Sequence, residues 1–115
     1  MLAEICLLAV MYGESRNQPV PTQKAVQSVL LNRAEAHHNH ACKELAKPHA
    51  FSFVHNGRII PPHPRGSDAA AYKKMRHHLY KRNLSKKYLY FNTLKLGVRY
   101  KTKNRPIILG QLIFY

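Results

Sequence analysis

The sequence contains no tryptophan, only five acidic residues among 115, and only two cysteines. Its most apolar stretch, residues 2–11, contains Glu4 and is half the roughly 20 residues that a membrane-spanning helix needs. No positive charge precedes that stretch, because the first basic residue is Arg16, so we recognise no signal peptide. The length suits one domain, which we place at residues 1–115.

The two cysteines, Cys6 and Cys42, are too far apart for a paired Cys-x-x-Cys motif. Neither a zinc ribbon nor a dense disulfide framework is therefore indicated. Free cysteine is among the most buried residue types, so we expect two buried thiols, with a disulfide as the alternative.

Histidine is plentiful, and three of the eight histidines, His37, His38 and His40, lie near Cys42. Their spacing is not an established zinc pattern, and no second cluster completes a tetrahedral set. We therefore expect no metal and no other cofactor, and interpret these residues as solvated loop histidines that gain positive charge below about pH 6.5.

Positive charge is concentrated in the second half of the chain. Residues 58–115 carry fourteen basic side chains and one acidic one, a net charge of +13, whereas residues 1–57 have a net charge of +1. Such a field concentrates a polyanionic partner in a salt-dependent way without specifying it. Nucleic acid, lipopolysaccharide, teichoic acid and peptidoglycan carboxylates all qualify.

Apolar periodicity predicts three helices. The first, at residues 2–12, is apolar on nearly every side, as in a central buried helix, and we expect Gly13 to end it. A loop at residues 16–21 then leads to a second helix, with Thr22 as N-cap and its end near His37. The third is basic and amphipathic, at residues 67–82.

Short β-prone segments separate and follow the helices. Asn56-Gly57, between two such segments, is a strong local hairpin signal. The tail is aromatic and β-prone at residues 88–91 and 107–115, around a polar basic stretch at residues 99–105. The pattern predicts an α+β fold, mainly helical, with a short β-hairpin or sheet.

The few carboxylates restrict the candidates for acid–base chemistry to Glu4, Glu14, Glu35, Glu44 and Asp68. Only Glu14 is at a junction, directly after the buried first helix. Partial desolvation there would favour the neutral carboxyl, with a pKa near the working pH, and make it a proton donor. The alternative is that Glu14 merely pairs with Arg16 or a downstream lysine.

Several short motifs follow one another along the chain. They are LLAVMYGESR at residues 7–16, QKAV at 23–26 with VLLNR at 29–33, Cys42 with Phe51-Ser52, YFN at 90–92 and LGQLIFY at 109–115. In this order they resemble L-A-x-x-I-Y-G-E-A-R-G, G-Q-x-A-V with V-L-N-R-V, C-x-V with Q-F-S, H-F-H-N and I-G-N-H-x-F-Y of the SleB-like cell-wall hydrolase family. That family includes spore-cortex-lytic enzymes and phage muralytic proteins.

This resemblance implies a small lysozyme-like fold and cleavage of the MurNAc–GlcNAc bond of peptidoglycan, commonly by lytic transglycosylation. The glutamate of the family's Y-G-E-A-R motif is its catalytic acid and corresponds to Glu14. Motif positions also indicate the residues that we expect to bind substrate, which are Tyr12, Arg16, Gln23, Phe51, Ser52, Tyr90, Asn92 and Tyr115.

Six departures of the chain from the family motifs bear on the site. Ser15 replaces the family's alanine, Asn17 its glycine and Ala50 its glutamine. In the closing motifs, Tyr90 replaces a histidine, Gln111 an asparagine and Leu112 a histidine. Loss of the two histidines removes polar groups that would hold substrate, but it leaves the glutamate in place.

The scarcity of carboxylates also bears on the mechanism. Hydrolysis by the usual pair requires a second acid about 5–9.5 Å from the first, and no other acid here is an attractive partner. We therefore predict that Glu14 protonates the glycosidic oxygen and then, as a carboxylate, accepts the proton of the sugar's 6-hydroxyl, giving a 1,6-anhydro product.

The expected partners are bacterial peptidoglycan and, through the basic half, anionic envelope polymers. We expect no nucleic-acid partner, and we expect the chain to be a monomer. We expect a phage endolysin or virion lysin that acts in the bacterial cell wall or periplasm, with the host cytoplasm before release as the alternative location. The rival interpretation is a nucleic-acid-binding module, because tail aromatics among basic residues suit base stacking. A third interpretation is an inactive virion component. The retained Glu14 argues against it.

Overall fold

A computed structural model of the chain describes residues 3–47, residue 51 and residues 65–115, without the side chains of Ser67 and Asp68. In these ranges four helices precede three strands: α1 (Ala3–Ser15), α2 (Val20–Ala36), α3 (Ala41–Leu45), α4 (Ser67–Arg76), β1 (Phe91–Thr93), β2 (Ile107–Leu109) and β3 (Leu112–Phe114). The predicted α+β fold, mainly helical, is confirmed. The hairpin expected at Asn56-Gly57 lies outside the described residues.

Helix α1 is the centre of the hydrophobic core. Every side chain from residue 6 to residue 11 is at most 5% exposed. Helix α2 packs along one side of α1 with the fully buried Val26 and Leu30, and α4 packs on another side, where Met75 meets Leu8. The uniformly apolar sequence of α1 is thus matched by neighbours on several sides.

The end of α1 differs from the prediction, because the helix continues through Gly13 to Ser15. A glycine within a helix costs about 0.5–1 kcal/mol relative to alanine, and tertiary packing of an apolar helix outweighs a penalty of that size. Glu14 therefore lies in the last turn of α1, not in the loop that follows.

The start of α2 also differs, because Pro19 is the N-cap residue and Val20 begins the helix, so Thr22 is not the N-cap. Pro21 occupies the first turn, where the missing N–H of a proline costs no helical hydrogen bond. The prolines that suggested a loop therefore belong to the beginning of the helix.

Two further helices were misjudged from the sequence. Helix α3 was not predicted; the side chain of His40 caps it by accepting a hydrogen bond from the backbone N–H of Cys42 at 3.1 Å. Helix α4 ends at Arg76, six residues before the predicted Arg82, and the chain then turns until Tyr80, which has a positive φ of 62°. A φ in this region is incompatible with a continuing right-handed helix.

The two cysteines are joined, so the expectation of two buried thiols is wrong. Cys6 of α1 and Cys42 of α3 form a disulfide, with their Cα atoms 5.4 Å apart. Only the unpredicted helix α3 brings Cys42 beside α1, which is why sequence spacing did not indicate the bond.

The strands form an antiparallel sheet in the order β1-β3-β2. Phe91, Phe114 and Ile107 are paired in one row, and all three side chains contact the main core. Gly110, with a φ of +58°, makes the tight turn between β2 and β3. The segment predicted at residues 107–115 contains β2 and β3, whereas the one predicted at residues 88–91 meets the sheet only at Phe91, where β1 begins.

The polar side of α2 is buried against the irregular segment between α4 and β1. The fully buried amide of Gln27 donates to the carbonyl oxygen of His78 and accepts from the N–H of Tyr80, both at 2.8 Å. Asn32, one turn further along, donates to the carbonyl oxygen of Ser85 at 2.8 Å. Side chains of α2 therefore replace the hydrogen bonds that this segment would otherwise make in a helix or sheet.

Candidate active site

Glu14 is half-buried in the last turn of α1. Residues three or four positions apart share one side of a helix, so Glu14 is on the side of Val10 and Leu7, both fully buried in the main core. Glu14 therefore lies on the side of α1 that packs into the core, at the C-terminal end of the helix.

The connection between α1 and α2 is fixed by side-chain hydrogen bonds next to Glu14. Ser15 Oγ donates to the carbonyl oxygen of Met11 at 2.7 Å. The buried Gln23 donates from Nε2 to the carbonyl oxygens of Ser15, at 3.3 Å, and Gln18, at 3.2 Å. Gln23, which we expected to bind substrate, thus satisfies carbonyl groups at the end of the helix that carries Glu14.

The turn between β2 and β3 contacts the same connection. The backbone N–H of Gln111 donates to Gln18 Oε1 at 2.9 Å. A Cβ on Gly110 would overlap that side chain and lie 2.9 Å from Thr22 Oγ1, so only glycine fits there. Gln111, where the chain departs from the family motif, is thereby placed at the end of the molecule where α1 ends, an arrangement that the sequence did not indicate.

Tyr12 and Arg16 are brought together, but on another side of α1. Two residues along a helix correspond to a rotation of about 200°, so Tyr12 points away from Glu14. The Arg16 guanidinium lies 5.1 Å from the centre of the Tyr12 ring, which meets Tyr72 of α4 edge-on at 6.0 Å. A shallow depression of about 480 Å³ beside them is lined by Ala69, Tyr72, Lys73, Arg76 and His77.

A second aromatic cluster, which we call the ring cluster, is formed by Tyr90, Tyr100 and Tyr115. Phe51 joins it through Arg33, whose guanidinium lies over the rings of both Phe51 and Tyr90. Tyr90 is at its centre, with ring centroids 5.0 Å from Tyr100 and 5.6 Å from Tyr115. Phe51 and Tyr115 are 5% and 2% exposed, whereas Tyr100 is 49% exposed, so only part of the cluster faces solvent. The structure thus joins three predicted site residues and adds Tyr100, which the sequence analysis did not select.

Arg33 of α2 completes the ring cluster and was also missed, although it belongs to the VLLNR motif. Its guanidinium lies 5.3 Å from the centre of the Phe51 ring and 5.4 Å from that of Tyr90. Burial lowers the pKa of Arg33, and the surrounding tyrosines oppose that effect. Arginine remains protonated in proteins, so the ring cluster contains a partly buried positive charge.

Asn92 lies between the two ends of the sheet, and Ser52 is outside the described residues. Asn92 pairs with Ile113 in the register of β1 and β3, and its Oδ1 accepts from the N–H of Thr93 at 3.0 Å. Gly110 and Tyr115 lie at opposite ends of β3. The predicted residues are therefore distributed along the sheet and around α1.

Glu44, Glu35 and Glu4 are the other carboxylates among the described side chains, since that of Asp68 lies outside them. Glu44 is 1% exposed. Lys47 Nζ lies 2.6 Å from Oε2, Asn39 Nδ2 donates to Oε2 at 2.7 Å, and His37 Nδ1 lies 2.8 Å from Oε1. Burial acts to raise the pKa of Glu44, but these hydrogen bonds prevail and lower it to about 2. Glu44 is thus an ionised structural residue.

Glu35 and Glu4 are also separated from Glu14. Lys86 Nζ and Arg82 NH1 lie 2.7 Å and 3.1 Å from the Glu35 oxygens, and their hydrogen bonds lower the pKa of Glu35. Glu4 is ten residues before Glu14 on the same helix, or about 15 Å along its axis. Neither is within the 5–9.5 Å range of a carboxylate pair, since Glu35 lies near the far end of α2.

The histidines around Cys42 take part in local structure. His37 contacts Glu44, His40 caps α3, and Cys42 is bonded to Cys6. In the part of the chain that the structure describes, no group of three His, Cys, Asp or Glu side chains is placed to hold a metal ion.

Comparison with protein families places the chain among the enzymes that degrade the bacterial cell wall. The Cell Wall Hydrolase family, of the SleB type, matches residues 17–115, and the chain belongs to this family. The matched range begins three residues after Glu14, so it includes α2 to β3 but not α1. No curated protein and no solved structure matches the chain. No helix within the described ranges is long and apolar enough to cross a membrane.

Proposed function

We propose that the chain cleaves peptidoglycan glycan strands at the MurNAc–GlcNAc bond, with Glu14 as the single acid and base. The observation that carries this proposal is the placement of the other carboxylates whose side chains the structure describes. Glu35 and Glu44 bind cations, and Glu4 lies about 15 Å away along α1. A family member that degrades peptidoglycan with one suitable carboxylate among its described side chains is best served by a mechanism in which that residue acts twice.

Lytic transglycosylation meets this requirement without a second carboxylate. Glu14 donates its proton to the glycosidic oxygen as the bond from that oxygen to C1 of MurNAc breaks. The Glu14 carboxylate then accepts the proton of the MurNAc 6-hydroxyl, whose oxygen bonds to C1 and closes the 1,6-anhydro ring. Glu14 finishes the cycle protonated, and no water is consumed.

The ring cluster is proposed to hold the glycan strand. Sugar rings stack on aromatic faces, and the half-buried Tyr90 and exposed Tyr100 can present such faces, with Asn92 as a polar contact nearby. Phe51 and Tyr115 lie behind the surface and position these rings. Arg33 supplies a positive charge for the carboxylates of the substrate.

The remaining predicted residues are assigned supporting roles. Gln23 positions the end of α1, and Tyr12 with Arg16 contacts substrate on the α4 side. The chain acts as one catalytic unit and as a monomer, and its basic half binds anionic envelope polymers. A phage endolysin or virion lysin remains the setting that we propose.

Loss of turbidity of outer-membrane-permeabilised bacteria tests the function. Glu14→Gln keeps the side-chain volume but removes the proton donor, so the lytic rate should fall at least about 100-fold while the circular dichroism spectrum is unchanged. Glu35→Gln is the matched control and should retain substantial activity. Near-normal lysis by Glu14→Gln would refute the proposal, and salt-sensitive gel shifts without lysis would instead identify a nucleic-acid-binding module.

A further inference from the structure

The connection between β1 and β2 exposes apolar side chains at alternate positions. Leu94, Leu96, Val98 and Tyr100 are 42%, 72%, 45% and 49% exposed. Single exposed apolar residues are normal on a protein surface, but four within seven residues form a local patch that indicates an interaction site.

Basic residues alternate with these apolar ones. Residues 94–105 contain five basic side chains and no acidic one, and all five are exposed; they are Lys95, Arg99, Lys101, Lys103 and Arg105. We call residues 94–105 the apolar–basic loop. Its composition suits a partner that offers an apolar phase directly beneath a layer of negative charge.

Backbone hydrogen bonds fix the conformation of this loop. The N–H groups of Leu96 and Gly97 donate to the carbonyl oxygen of Thr93 at 3.1 Å and 2.9 Å. Further along, the N–H of Arg99 donates to the hydroxyl of Tyr115 at 3.0 Å. The exposed side chains are therefore presented from an ordered turn, which reduces the entropy lost when the loop binds a surface.

We propose that the apolar–basic loop binds the surface of an anionic lipid bilayer. Leu94, Leu96 and Val98 enter the boundary between headgroups and acyl chains, and the basic residues contact the lipid phosphates. Charge complementarity favours this partner, and the exposed leucines favour it over a soluble polyanion, which has no apolar phase to receive them.

Binding to a bilayer would also orient the proposed catalytic unit. Tyr100 belongs to the loop and its ring lies 5.0 Å from Tyr90 in the ring cluster. An attached enzyme would therefore hold the ring cluster close to the membrane, where the innermost glycan strands are found. Leu94 and Leu96 are not part of the ring cluster, and Glu14 is not part of the loop, so replacing these leucines tests lipid binding separately from cleavage.

Sedimentation of the full chain with lipid vesicles tests the proposal. Wild type should bind vesicles of phosphatidylglycerol and phosphatidylcholine, and bind pure phosphatidylcholine vesicles much less. The double variant Leu94→Ser, Leu96→Ser should bind the anionic vesicles at least about tenfold more weakly, because it removes apolar surface without changing charge. Ile5→Ser, which alters a 37% exposed residue of α1, is the matched control and should bind like wild type.

Two further measurements separate lipid binding from its alternatives. Binding of soluble polyphosphate should be the same for wild type and the double variant, and Glu14→Gln should bind vesicles like wild type even if it lyses no cells. The single variant Leu96→Ser repeats the test if the double variant does not fold. Undiminished binding of anionic vesicles by a folded leucine variant, or equal binding to both kinds of vesicle, would overturn the proposal.

Discussion

Lys47 Nζ lies 2.6 Å from Glu44 Oε2, and this ion pair joins a half-exposed ammonium group to a carboxylate that is almost completely buried. The pKa of Glu44 is about 2 in the folded protein, well below the ordinary glutamate value of 4.5. Because folding depresses this pKa, ionised Glu44 contributes its full stabilisation above about pH 4.5 and loses it progressively as the pH falls toward 2.

Glu44→Gln should therefore lower the free energy of unfolding by about 2–3 kcal/mol at pH 7. Urea denaturation at a series of pH values would measure the effect, and the difference from wild type should shrink between pH 4.5 and pH 2. Glu35→Gln, which removes an exposed ion pair, should change stability little. A Glu44→Gln effect that is constant over this pH range would contradict the assignment.

The Cys6–Cys42 bond closes a loop across 36 positions of sequence. Restricting an unfolded chain of that length contributes about 3–4 kcal/mol in the chain-entropy model. The double variant Cys6→Ser, Cys42→Ser should lower the free energy of unfolding by about 3–4 kcal/mol. A reducing agent should destabilise wild type by a similar amount and should not affect the double variant. Equal stability of wild type with and without reducing agent would show that the bond does not form in solution.

Reaction products would distinguish transglycosylation from hydrolysis. Mass spectrometry of muropeptides released by the enzyme should show anhydro-MurNAc ends, because the 6-hydroxyl of the sugar replaces water as the nucleophile. If only reducing MurNAc ends appear, the enzyme is a water-using muramidase, although Glu14 would still be its acid.

Salt should weaken lysis of whole cells, because charges on a solvated surface are screened beyond about 8 Å at physiological ionic strength. Lys74, Lys81 and Lys86 are exposed, whereas Lys73 lines the depression beside Tyr12 and Arg16, so the first three are the residues to replace with glutamine. The triple variant should bind cells more weakly, and its lytic rate should depend less on salt.

Short soluble glycan fragments provide the control for this experiment, since they carry few charges. Their cleavage should be nearly unchanged in the triple variant. Loss of fragment cleavage in a folded variant would place these basic residues in the active site.

The sequence predicted the elements that depend on local pattern. The uninterrupted apolar run of α1 requires neighbours on several sides whatever the fold, and the β-prone segment at residues 107–115 forms two strands of the sheet. Positions decided by tertiary contacts were not predictable. Gly13 remains helical because α1 is packed, and α4 ends early where Gln27 holds the turn at Tyr80.

Much of the proposed site was available from the sequence only through motif resemblance. Glu14 followed from the Tyr-Gly-Glu motif and its position after a buried helix. Arg33 was visible within the VLLNR motif, but helical periodicity gave no sign that its guanidinium reaches Phe51 and Tyr90. Such contacts between α2 and the tail depend on how distant segments meet.

The hydrogen bonds from Gln27 and Asn32 have a consequence for local opening of the molecule. Backbone hydrogen bonds join parts of the segment between α4 and β1, and side chains of the buried middle of α2, namely Gln27, Ser28 and Asn32, supply further partners. The segment therefore belongs to the same cooperative unfolding unit as α2, and the amide hydrogens of Tyr80 and Asn83, both bound by α2 side chains, exchange with solvent only when that helix separates from them.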